Sequence, residues 1–147
     1  MSQLYDLYQM AGAEAFTKKV CEIAPYFSTI DPTFIELRAG YSEVTMPNTK
    51  AVHNHLGTVH AIAMCNLAEI AAGLMTDVSI PETHRWIPVG MNVQYIAKAT
   101  TDLRGIADAK DIDWTIEGDK NIQVSITDTH GLEVCKAFVK VKIGLKK

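Results

Sequence analysis

Between Val52 and Thr76 the chain reads V-H-N-H-L-G-T-V-H-A-I-A-M-C-N-L-A-E-I-A-A-G-L-M-T, and its polar residues can be weighed one at a time. Glu69 stands in a run of small and apolar side chains, where a carboxylate drawn out of water needs a partner or a purpose. It is a candidate general base or nucleophile; the alternative is a structural group that accepts hydrogen bonds from a neighbouring loop. His60 lies nine residues earlier, which on one helix, at about 100° per residue, is half a turn out of phase. If both belong to one site, the spacing predicts two copies of the chain, related by a twofold axis. Asn66 falls about 60° around the helix from Glu69. It is placed to orient the carboxylate or a water, or to hydrogen-bond across a dimer interface. His53-x-His55 has metal-ligating residue types, but no carboxylate or cysteine follows at a usual ligand spacing, so no metal is expected.

These residues need a frame. Leu56–Met75 is apolar all round, the mark of a buried helix or a membrane span. A central carboxylate costs about 2.5–3.5 kcal/mol in a bilayer, so the expectation is a helix at the centre of a soluble domain, ending near Gly73–Thr76. Residues 3–24 carry apolar positions at helical spacing, with Ser2 as N-cap and Pro25 as stop. This first helix is expected to pack on a sheet, with a lid over a cleft as the alternative. From Thr33 to Met46 the apolar phase shifts from Ile35 and Leu37 to Val44 and Met46 across Ala39-Gly40, which predicts a hairpin or bulge. S-I-P-E-T-H-R-W-I-P reads as a loop. Three strands are expected to follow closely: Val89–Ala97, with Val89, Met91, Val93, Tyr95 and Ala97 on one face, then Leu103–Ala109 and the strict alternation at Ile122, Val124 and Ile126. Asp128–Gly131 turns the chain into a last strand with Cys135, Ala137, Val139, Val141 and Ile143 on one face. Short turns mean antiparallel pairing, and the economical arrangement is α+β, a curved antiparallel sheet around the central helix.

A length of 147 residues suits a single domain, 1–147. A net charge of -3 leaves no basic footprint for nucleic acid. The N-terminus lacks the pattern of a signal peptide, and three distant cysteines suggest neither a disulfide frame nor zinc. The expected location is cytoplasmic, with no membrane partner.

A helix inside a curled sheet is the hotdog architecture. Asn54, Gly57, His60, Leu67 and Glu69 fall on the spacing N-x-x-G-x-x-H-G-G-x-x-x-x-L-x-D of the phenylacetate-degradation (PaaI-like) thioesterases, which the chain resembles in element order from about Thr33 to Ile143. Val89–Leu103 resembles the long strand of that family and the turn after it. Two departures stand out: His60 is followed by Ala61-Ile62 instead of Gly-Gly, and Glu69 replaces Asp. Ala61 keeps its N–H, while Ile62 adds bulk that either reshapes the acyl pocket or weakens activity.

The resemblance implies an acyl-CoA thioesterase whose site is shared between subunits of a homodimer or a tetramer of dimers. Its substrate would be an acyl-CoA or acyl-carrier thioester, and coenzyme A would enter only as part of that substrate. The Ala61 N–H at a helix start would hold the thioester oxygen. Glu69 would activate water or attack directly, and Asn54 and His60 would fix the loop and the sulfur side. Lys98, Arg104, Lys136, Lys140 and Lys142 are candidates for the coenzyme A phosphates; each is alternatively a solvated cation on a strand face. Two other readings are carried. A hydroxyacyl dehydratase would use His55, fourteen residues before Glu69, although its Pro-Gly helix entry is missing. A non-catalytic acyl-CoA-binding protein would have lost turnover through the Ala61-Ile62 step.

Overall fold

Residues 2–147 are described by a computed structural model. Helix α1 (Gln3–Ile23) begins where Ser2 Oγ accepts the Tyr5 N–H at 3.1 Å, as expected of an N-cap. It kinks at Gly12, whose φ of 87° only glycine adopts freely. A 3₁₀ turn, Pro25–Ile30, follows. Strands β1 (Thr33–Arg38) and β2 (Tyr41–Met46) form the hairpin expected around Gly40. The buried residues of β1 are Phe34 and Leu37, not Ile35 and Leu37, because a bulge between Phe34 and Glu36 resets the alternation.

The central helix α2 spans Ala61–Ser79, later at both ends than the apolar run suggests. At its start, a turn closed by the Gly57 N–H to the Asn54 carbonyl, with Gly57 at φ 76°, holds the chain out of helix until His60. At its end, the Thr76 and Ser79 hydroxyls donate back to the Ala72 and Met75 carbonyls, and polar residues that read as a helix stop are absorbed into the last turn. Ser79 Oγ also accepts the Gly40 N–H at 2.9 Å, which ties α2 to the β1–β2 hairpin.

Strands β3 (His84–Tyr95), β4 (Leu103–Asp108), β5 (Gly118–Thr127) and β6 (Glu133–Leu145) complete one antiparallel sheet in the order β1-β2-β4-β5-β6-β3. The stretch read as a loop, His84–Pro88, is already strand. Pro88 is tolerated because β3 lies at a sheet edge and a bulge falls between Pro88 and Gly90. That bulge also takes Val89 out of the expected face, leaving Met91, Val93 and Tyr95 on the side of α2. On β5 and β6 the expected faces hold: Ile122, Val124, Ile126, Cys135, Ala137, Val139, Val141 and Ile143 are all buried.

The sheet wraps α2, whose Leu67, Ala68, Ile70, Ala71, Ala72 and Met75 are wholly buried against it. By length and composition α2 could cross a membrane, but most of it is enclosed by its own domain. Phe16 of α1 meets Phe34 of β1 edge-on, with centroids 5.1 Å apart. This seats the first helix on the β1 side of the sheet.

Candidate active site

The loop before α2 is a small hydrogen-bonded unit built on Asn54. Its Oδ1 accepts the N–H groups of Leu56 and Thr58 at 2.9 and 3.1 Å, and its Nδ2 donates to Thr58 Oγ1 at 2.9 Å. The Val59 N–H donates to the Ala99 carbonyl and the His60 N–H to the Val52 carbonyl, which pins the helix entry to both flanking segments. These bonds tie the turn before α2 together.

His60 is the N-cap of α2, with extended backbone at φ -64° and ψ 137°, and its Nδ1 accepts the Ile62 N–H at 3.0 Å. That acceptor role leaves the proton of the neutral ring on Nε2. His60 lies outside the helix, so the half-turn phase argument does not apply to it. Axial distance takes its place: nine residues along α2 at about 1.5 Å each put about 13 Å between His60 and Glu69.

Four N–H groups at a helix start lack partners within the helix. Here the Ile62 N–H goes to His60 Nδ1, while those of Ala63 and Met64 go to the His60 carbonyl. The Ala61 N–H alone among the four has no acceptor among the described residues. A free donor at the positive end of a helix macrodipole is suited to bind an oxygen that gains negative charge.

Glu69 is half-buried, and among the described residues its carboxylate has no hydrogen bond or ion pair. No loop among the described residues donates to it. Its surroundings follow from its neighbours one turn away. Cys65 Sγ lies 3.4 Å from Tyr95 Oη, and the Trp86 ring covers Gly73 so closely that a Cβ there would meet Cη2 at 2.8 Å. Cys65 and Gly73 flank Glu69 at i−4 and i+4, so the carboxylate lies on the stripe of α2 that faces β3. The Tyr95 phenol is pushed up to about 12, first by its bond to Cys65 and then by burial. It remains an O–H donor at neutral pH.

Asn66 does not bond to Glu69. Its Nδ2 donates to Thr29 Oγ1 at 3.2 Å and, at 3.4 Å, to the Tyr26 carbonyl, both in the 3₁₀ turn. That turn is a part of the site the sequence reading missed; the signal was the Pro25-Tyr26-Phe27 step after a helix stop. His53 Nε2 is engaged with Asn48 Oδ1 at 2.7 Å. No three His, Cys, Asp or Glu side chains gather as metal ligands among the described residues.

The candidate cations separate into two groups. Arg104, Lys136, Lys140 and Lys142 lie on the face of the sheet away from α2, as their buried strand neighbours require. Arg104 pairs with Glu43 at 2.9 Å and Lys136 with Glu133 at 3.7 Å. Lys98 adjoins Ala99, the residue that anchors the loop before α2, and is the one cation of the set beside the helix entry.

Residues 12–143 match a sequence family described as a domain of unknown function, DUF4442. The chain belongs to the DUF4442 family. A comparison with curated proteins finds no match. Among solved structures, the structural-genomics target APC5556 is 47% identical to this DUF4442 chain, with a TM-score of 0.90 over 98% of this chain and 97% of that one. A Pseudomonas aeruginosa protein of unknown function, PA5026, called a probable thioesterase, has a TM-score of 0.76 at 19% identity, covering 86% of this chain and 91% of that one. The Haemophilus influenzae thioesterase HI1161 has the same TM-score at 14% identity, with coverage of 86% and 87%. The DUF4442 chain thus shares the hotdog fold of these solved structures.

Proposed function

We propose that this protein is an acyl-CoA thioesterase that works as a homodimer, alone or as a tetramer of dimers, with each site drawn from two copies. The observation that carries the reading is Glu69: a carboxylate with no partner among the described residues, on an otherwise buried helix, facing a strand at the edge of the sheet. The free Ala61 N–H supplies the complementary group. Eight residues of helix, about 12 Å, separate the two in one chain, whereas a thioester presents its carbonyl carbon and oxygen one bond apart. A second copy across a twofold axis removes that mismatch.

In this reading the Ala61 N–H holds the thioester oxygen as negative charge develops on it. Glu69 of the other copy either takes a proton from the attacking water or attacks the carbonyl carbon to form an anhydride that water then opens. Both routes release the free acid and the coenzyme A thiol. His60 orders the helix entry, and Lys98 is the cation placed to meet the carrier's phosphates. The names of the similar solved structures point to the same chemistry. A thiol-release assay over a panel of acyl-CoA esters tests the proposal: hydrolysis of at least one ester at enzyme-like rates is expected. No release from any of them, with the protein folded, would overturn it.

A further inference from the structure

Glu69 faces β3 without a partner among the described residues, and β3 narrows the choice of what it works with. Trp86, Pro88, Met91, Val93 and Tyr95 are registered against buried residues of β6, which puts their side chains on the side of α2. The Trp86 N–H is taken by Asp77, and Pro88, Met91 and Val93 carry no hydroxyl, amide or charge. The Tyr95 hydroxyl is what remains. Its ring points inward and is still 51% exposed, because β3 is a sheet edge and Tyr95 stands at the open side of the cleft between strand and helix. Tyr95 Oη rests 3.4 Å from Cys65 Sγ, one helical turn before Glu69. Side chains on a helix lean over the turn that precedes them, so the Glu69 carboxylate reaches back towards Cys65. With the Cβ atoms of such i, i+4 pairs about 5–6 Å apart, a single water can bridge the phenol and the carboxylate.

We propose that Tyr95 is a positioning residue of the thioesterase site: its Oη and the Glu69 carboxylate of the same chain each accept one proton of the attacking water. The inference rests on the thioesterase reading above and selects between its two routes, with Glu69 as general base. Hydrogen-bond chemistry sets the direction of each contact. A phenol donates more strongly than a thiol, so the Tyr95 O–H turns to Cys65 Sγ and the lone pairs of Oη are left for another donor. The phenol keeps its proton at neutral pH, as its raised pKa requires. A water held by both protons has its own lone pairs free for the carbonyl carbon. As the new C–O bond forms, one proton passes to Glu69 and the other stays with the oxygen that becomes the acid. The C–S bond then breaks, and the proton held by Glu69 goes to the departing sulfur.

The test adds methanol to the thiol-release assay, using the acyl-CoA ester that is hydrolysed fastest, and separates free acid from methyl ester by chromatography. Water has two protons and can bridge Tyr95 and Glu69; methanol has one and cannot. Wild type should therefore discriminate against methanol, and Tyr95→Phe should lose that discrimination. In Tyr95→Phe, kcat should fall by about tenfold, the worth of one hydrogen bond, with KM and sedimentation unchanged. The ratio of methyl ester to acid should rise by a similar factor. Phenylalanine keeps the ring, and a product ratio does not depend on how much variant folds. Cys65→Ala frees the phenol proton to turn towards the water and should move the ratio in the same direction. A ratio unchanged in Tyr95→Phe would overturn the proposal whatever the rate, since a lower rate alone would mark the hydroxyl as structural. Wild type that hydrolyses no ester would overturn the thioesterase reading and this inference together. Hydrolysis with the same product ratio in wild type and Tyr95→Phe overturns this inference alone.

Discussion

At the scale of single residues, the site turns on two unpaired groups, the Glu69 carboxylate and the Ala61 N–H. Glu69→Gln keeps the size of the side chain and removes the charge that would activate water or attack. Hydrolysis should fall by about 10²-fold or more, the usual worth of positioned acid–base catalysis. Because Glu69 accepts no hydrogen bond among the described residues, none is lost, and the unfolding free energy should stay within about 0.5 kcal/mol of wild type, as for a substitution away from buried networks. Undiminished thiol release from a folded Glu69→Gln protein would remove Glu69 from the chemistry. Asn54, Gly57, His60 and Glu69 were legible as a set because their spacing resembles a known pattern, and Ala61 because it follows His60 at the helix start. The hydrogen-bond partners of Asn66 were not legible from spacing. A 60° offset places it near Glu69 on a helical wheel, but the 3₁₀ turn, distant in sequence, takes up its amide nitrogen instead.

At the scale of elements, alternation read the fold well wherever one face of a strand is covered and the other is wet. Ile122–Ile126 and Cys135–Ile143 are such cases. It failed where the chain breaks its own period. Two prolines made His84–Pro88 look like loop, yet an edge strand has a row of N–H groups that need no partner in the sheet, and Pro88 removes one at little cost. Bulges in β1 and β3 then moved Ile35 and Val89 off the faces their spacing assigned, and a bulge leaves little trace in side-chain type. The α2–β3 contact was equally hidden. Its key is Gly73, which lies under Trp86, with the indole N–H donating to Asp77 Oδ1 at 3.1 Å. Gly73→Ala would gain helix propensity of up to about 1 kcal/mol, but its methyl would collide with a ring held on its far side by that hydrogen bond. Displacing the ring should outweigh the gain and leave a net loss of about 1–3 kcal/mol, as for overpacking in a filled core. Chemical denaturation would read it as a lower midpoint at constant slope. A stabilised Gly73→Ala protein would mean that Trp86 moves freely and that β3 is not registered on the helix by this contact.

At the scale of the whole molecule, the sheet order decides what the protein can assemble into. β3 is a twelve-residue strand at an edge, and it carries exposed apolar side chains: Ile87 is 59% and Val89 49% exposed. A long apolar edge with free N–H and C=O groups is a template for another strand. Pairing with the same edge of a second copy is self-complementary, as a twofold interface requires. It would also bring the stripe of α2 that carries Glu69 towards the other copy. Val89→Lys tests assembly and shared catalysis together. Position 89 is exposed within one chain and sits at a bulge, so a lysine there meets no core and should leave the circular dichroism spectrum unchanged. Across a twofold edge it would put two like charges close together, a standard way in which edge strands avoid pairing. Sedimentation at micromolar concentration should show wild type as a dimer or larger and Val89→Lys shifted towards monomer. Thiol release should fall in step with the dimer fraction and recover as protein concentration rises. A wild-type monomer that hydrolyses thioesters, or a Val89→Lys monomer with full activity, would show that one chain holds a complete site and that the separation of Ala61 from Glu69 has another resolution.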